Sequence, residues 1–166
     1  MFSGWAQSGL EHFDTAGLNA EVLDVRDRTD ADDVTMAERV VGASLVYFSG
    51  GNPAYLAASL RNTALWRAVV DGLDRGMGYI GCSAGVACLG HKAPDSSVNE
   101  FSPELWQQGL GLFPRAWFGP HWDVLDRFVP GLVDHIIATV PGDGLLVGID
   151  EQTALVGDGE SWRVIG

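Results

Sequence analysis

The chain has 166 residues, 46% of them hydrophobic and 19% charged, enough for one domain with a buried core and a folded rather than disordered composition. Asp and Glu number 22 against 10 Lys and Arg, a net charge of −12. That balance leaves no basic face to neutralise phosphates, which argues against nucleic acid as a partner.

In chain order, residues 1–17 read as a helix ending near Gly17, and AEVLDV (20–25) as a short strand. A polar turn (26–33) leads to a helix over 32–43. SLVYFS (44–49) reads as a buried strand that runs at once into GGNP. Residues 54–60 and 63–76 carry apolar residues at helical spacing. MGYIGC (77–82) is a strand and AGVACLG (84–90) a short helix. A polar loop fills 91–104. GLGLFP (109–114) and AWFGP (116–120) read as extended pieces. Residues 121–140 are helical, bent or restarted at Pro130. Strands close the chain at 144–150, 153–159 and 161–166, the last two as a hairpin. Strands alternating with helices predict an α/β fold, a mostly parallel sheet covered on both faces, in a single domain over 1–166.

The two cysteines, Cys82 and Cys88, suit neither a zinc site nor a disulfide framework, and read as reduced thiols of a cytoplasmic protein. No run of 18 apolar residues marks a membrane span, and MFSGWAQSGL lacks the basic and apolar regions of a secretory leader.

GCSAG (81–85) sits where a predicted strand meets a predicted helix, the place where a parallel sheet displays its chemistry. It fits a nucleophile elbow. The central residue of G-x-S-x-G is forced into a strained conformation, and its neighbours two positions away must be small. Ser83 takes the centre, and Cys82 is expected to point back into the strand's packing. A serine nucleophile needs a base, and the base an orienting group. Of His12, His91, His121 and His135, only His121 follows an extended segment at a loop-to-helix junction; His135 reads as structural or surface. The acids between Ser83 and His121 include Asp95 and Glu100, and Asp123 and Asp126 lie just beyond the histidine. FSGGNP (48–53) ends a strand. There Gly51, with the Ala84 N–H, can supply an oxyanion hole.

YFSGGNPAYL, GCSAGVA, NEF, GLGLFP, GPHWD and GIDEQTAL, in this order, resemble the peptidase E and cyanophycinase family of serine peptidases, from about residue 10 to the C-terminus. The resemblance implies a glutamine-amidotransferase-like three-layer α/β/α sandwich and cleavage of peptide bonds involving aspartyl residues. It makes Ser83 the nucleophile, His121 the general base and Glu100 the third residue, with Gly51 and Ala84 as oxyanion donors. Asn52 and Arg127 are candidate substrate-binding residues. Asp150-Glu151 matches a GIDE-type segment, read as structural or site-supporting. Family members usually begin with one or two more strands than stand before the matching part here, so the N-terminal strands are expected to be missing. The Gly-Glu-Thr-Arg stretch of peptidase E proper is absent from the sequence.

The resulting expectation is a cytoplasmic serine-type peptidase for small aspartyl peptides or isopeptides, without metal or organic cofactor, with a homodimer covering an open sheet edge. The alternative is a catalytically silent member acting as a binder or scaffold. An α/β-hydrolase esterase shares the elbow. Only thirty-seven residues lie between Ser83 and His121, too few for the strands that intervene in that fold. A thiol amidotransferase would want cysteine at the elbow's centre.

Overall fold

The computed structural model describes residues 2–98 and 101–166. Helix α1 (Phe2–Thr15) opens the chain. Two short helices, α2 (Arg28–Ala31) and α3 (Val34–Val40), are capped by the carboxylates of Asp27 and Asp33. Strand β1 (Leu45–Phe48) leads to α4 (Pro53–Leu60) and α5 (Ala64–Asp74). Strand β2 (Gly78–Gly81) leads to the one-turn helix α6 (Ala84–Ala87). Asn52 and Thr63 cap α4 and α5, and Pro53 sits at the first turn, where its missing N–H costs nothing.

β1 and β2 pair in parallel, Leu45 opposite Gly78 through Phe48 opposite Gly81. Strand β3 (Lys92–Pro94) pairs antiparallel with β4 (Trp106–Gln108). Strand β5 (Ala116–Pro120) pairs in parallel with β6 (Leu145–Ile149). Strands β7 (Ala154–Gly157) and β8 (Trp162–Ile165) form the closing hairpin. The expected α/β class with parallel strands is present. Among the described residues its ladders form four two-stranded sheets, with one further parallel bridge between Gly90 and Phe113.

The core lies between one face of β1–β2 and the helices α3 to α6. Leu60, Val69, Leu65 and Trp66 are buried with Cys88, Leu89 and Met77. Phe48 meets Trp66 edge to face at 6.4 Å and stacks on Tyr79 at 5.2 Å. The other face of the pair is open: Tyr47 and Ile80 are each 42% exposed, and Phe13 of α1 touches Tyr47 edge-on.

Three local expectations change. Residues 20–25 are not a strand. Their apolar side chains Leu23 and Val25 do pack on the core, but no neighbouring strand offers them a ladder. The polar loop over 91–104 contains β3, which β4 completes. The stretch 109–114 holds no strand, only the Phe113 bridge. The helix expected over 121–140 does break. It begins as a 3-10 turn (Trp122–Val124), continues as α7 (Leu125–Phe128), and restarts as α8 (Leu132–Thr139). Gly131 takes the left-handed conformation at the junction, and the Asp126 carboxylate accepts the Val133 N–H at 3.0 Å.

Candidate active site

At the end of β2 the chain must turn sharply into α6. Ser83 bears that turn with φ 53° and ψ −113°, a conformation that costs a side-chain-bearing residue of order 1–3 kcal/mol. The turn is possible because its flanks lack side chains. A Cβ on Gly81 would lie 2.5 Å from the Gly85 carbonyl oxygen, and one on Gly85 would lie 2.1 Å from that of Phe48. The Ser83 carbonyl accepts the Val86 and Ala87 N–H groups, so the strained residue starts the helix. Cys82 is exposed rather than packed. It stands two positions after Ile80, and strand alternation puts it on the open face.

The GGN loop after β1 reaches the serine. A Cβ on Gly50 would stand 3.7 Å from Ser83 Oγ. Gly51 has φ +133°, open to glycine but strained for other residues. Among the described residues the N–H groups of Gly51 and Ala84 have no acceptor, so both remain available for an oxyanion. Asn52, a candidate for substrate binding, has its amide engaged at both ends. Its oxygen accepts the Tyr55 N–H, and its nitrogen donates to Asp95 Oδ1 at 2.6 Å. The same Asp95 oxygen accepts from the Ser97 hydroxyl and N–H, and these donors hold the Asp95 carboxyl below its ordinary range.

His121 follows β5 directly, in the left-handed region at φ 60°. What holds it is the next residue. The Trp122 ring lies over Gly119 of β5 and its register partner Gly148 of β6, where a Cβ on either would be 2.7 Å from the ring. Because Pro120 faces Ile149, the chain leaving β6 comes up beside His121. There Glu151 meets it: the imidazole Nδ1–H donates to Glu151 Oε1. Both side chains are partly open, 35% and 48% exposed. The Glu151 N–H in turn donates to Asp123 Oδ1 at 2.9 Å.

Ser83 and His121 thus follow the carboxyl ends of β2 and β5, each a member of a parallel pair, and α6 packs against β5. No hydrogen bond joins the two among the described residues. Glu100 lies outside the described residues with Asn99. Arg127 is exposed on α7. His135 is a structural residue, stacked on Phe101 at 4.7 Å and accepting from Trp106 Nε1. His12 bonds the Ser8 carbonyl, and His91 is exposed. Among the described residues, no helix is long and apolar enough to cross a membrane, and no cluster of three or more His, Cys, Asp or Glu could hold a metal ion.

A serine on a strained elbow, and a histidine hydrogen-bonded to a carboxylate at a second strand end of an α/β fold, are the residue types that serine hydrolases use. Residues 3–165 match the model of peptidase family S51, and the chain belongs to that family. It is 27% identical over 157 residues to a cyanophycinase of Trichormus variabilis, covering 88% of this chain and 50% of that protein. A cyanophycinase of Synechococcus elongatus is 30% identical over 157 residues, covering 88% and 46%. The chain therefore spans about half the length of the curated relatives it matches. Among solved structures, a peptidase from an acI-B1 Actinobacterium superposes with a TM-score of 0.87 at 35% identity, over 99% of this chain and 67% of that one. A putative peptidase E from Listeria monocytogenes EGD-e shares the fold, with a TM-score of 0.70 at 18% identity over 96% and 76%. These superpositions agree with the three-layer α/β fold expected from the sequence.

Proposed function

We propose that this chain is a serine peptidase acting on small aspartyl-containing peptides or isopeptides through Ser83, His121 and Glu151. The observation that carries the reading is the Glu151 carboxylate on His121 Nδ1. It fixes the tautomer that leaves Nε2 free to accept the serine proton. Ser83 attacks the substrate carbonyl while His121 takes its proton. Glu151 stabilises the imidazolium that results. The Gly51 and Ala84 N–H groups bind the oxyanion, each worth about 3 kcal/mol in comparable sites. His121 returns the proton to the leaving amine. Water, deprotonated by the same imidazole, then releases the acyl group. The aspartyl preference is supported by membership of the family and by the cyanophycinase relatives. The two free thiols support a cytoplasmic setting.

The test is intact-mass labelling with a fluorophosphonate, which needs no knowledge of the substrate. The wild-type chain gains one adduct at Ser83, and Ser83→Ala gains none. Glu151→Gln slows labelling by roughly 10²- to 10⁴-fold, and Glu100→Gln by far less. A folded wild type that stays unlabelled removes the hydrolase reading. A larger loss in Glu100→Gln moves the third role to Glu100. Dipeptides with α- and β-aspartyl linkages then define the substrate.

A further inference from the structure

Beyond the ends of β5 and β6, two hydrogen bonds join the loops that follow, among the described residues. One runs from His121 to the Glu151 carboxylate, the other from the Glu151 N–H to Asp123 Oδ1 at 2.9 Å. Together they close a ring. Histidine and aspartate lie two residues apart in one loop, and both address the same glutamate across 28 or more residues of sequence. The Glu151 carbonyl is tied separately, by the Thr153 hydroxyl at 3.3 Å. The ring closes over strained backbone, because His121 has φ 60° and Gln152, next to Glu151, has φ 57°.

We infer that Asp123 is a positioning residue: by holding the Glu151 main chain it keeps the Glu151 carboxylate on His121. This rests on the triad reading above. Asp123 is itself exposed. Among the described residues the imidazole Nδ1 bonds Glu151, and no hydrogen bond joins it to Asp123. Without it, the Glu151 N–H has no partner among the described residues, and only the bond from His121 to the Glu151 carboxylate still joins the two segments. Asparagine keeps an accepting oxygen at the same place, and alanine does not.

The test uses Asp123→Ala and Asp123→Asn in the full chain, each alone and in the Glu151→Gln background, with folding followed by circular dichroism. Two readouts are taken. One is the fluorophosphonate labelling rate. The other is the downfield imidazole N–H proton resonance of His121, assigned by its loss in His121→Ala. Asp123→Ala is expected to slow labelling by about ten-fold in the wild type and by less than about two-fold when Glu151 is already glutamine. It also removes or broadens the resonance. Asp123→Asn keeps the resonance and most of the rate. An equal loss in both backgrounds overturns the inference, as does an unchanged resonance in Asp123→Ala, an asparagine variant as poor as alanine, or a wild type without the resonance. If the wild type does not label but the resonance answers to Asp123 as described, the hydrolase reading fails and the positioning role stands.

Discussion

At the serine, main chain presses on main chain; at the histidine, one aromatic ring covers two strands. The elbow is held by absence. Gly81 and Gly85 leave room for the Gly85 and Phe48 carbonyls, and Ala84 behind the serine is 1% exposed. No side chain there can swing aside, so the geometry follows directly from which residues are small. The histidine side is held by presence. Trp122 fills the space over Gly119 and Gly148, and two carboxylates lace the loops together in partly open surroundings. A site built this way has one rigid half, set by sterics, and one half whose geometry depends on contacts far apart in sequence. Substitutions on the two sides should therefore fail differently.

The largest effect is expected at Gly85. The methyl of Gly85→Ala would sit 2.1 Å from a backbone oxygen, so β1 or α6 must move. Overpacking against main chain costs about 3 kcal/mol or more, which lowers Tm by roughly 10 °C in a domain of this size. Calorimetry checks it, and Ser83 labelling should be lost along with the stability. A variant as stable as the wild type would mean that the elbow is not sterically set.

Trp122→Ala should separate the two quantities. The tryptophan is only partly buried, so its loss costs about 2 kcal/mol, less than that of a fully buried ring. Its effect on chemistry should be larger. The ring sets where the chain leaves β5, and labelling should fall by about ten-fold or more while most of the elbow's stability remains. Equal losses of rate in the two variants, with equal losses of stability, would erase the distinction between the halves.

The same difference explains what could be read in advance. The elbow is local: five consecutive residues state both the steric requirement and the nucleophile, and the parallel α/β class follows from the alternation of elements around it. The position of His121 was legible because it follows an extended segment. Its carboxylate partner is legible only in part: the resemblance marks Asp150-Glu151 as structural or site-supporting and gives the third role to Glu100. Glu151 is thirty residues away, and only the register Pro120 opposite Ile149 brings it beside the imidazole. The available signal was that GIDE sits at the carboxyl end of a closing strand. Pairing that strand with AWFGP would have been needed to use it. The unpaired segment at 20–25 failed for a related reason. Apolar alternation predicts a buried edge, but a strand exists only where a neighbour supplies the ladder.

The smallest expected effect is also the most direct comparison of an open position with a closed one, because the elbow carries a cysteine on each side. Cys82 is exposed, whereas Cys88, beyond α6, is fully buried, and burial pushes its thiol up to about 12. At pH 8 the native chain should take up one iodoacetamide, at Cys82, and Cys88 should react only after denaturation. Tyr79, partly buried beside Cys88, has its hydroxyl pushed up as well, by the same loss of solvent. The sign of the pH effect follows. The unfolded chain ionises Cys88 near 9, the folded chain only near 12, so the buried neutral thiol favours folding below 9 and that advantage is lost as pH rises between the two. Urea midpoints should therefore fall on the alkaline side, and the fall should be smaller in Cys88→Ala. Alkylation of Cys88 in the native chain at pH 8 would show that the packing behind the elbow opens, and the rigid half of the site would lose its claim to rigidity.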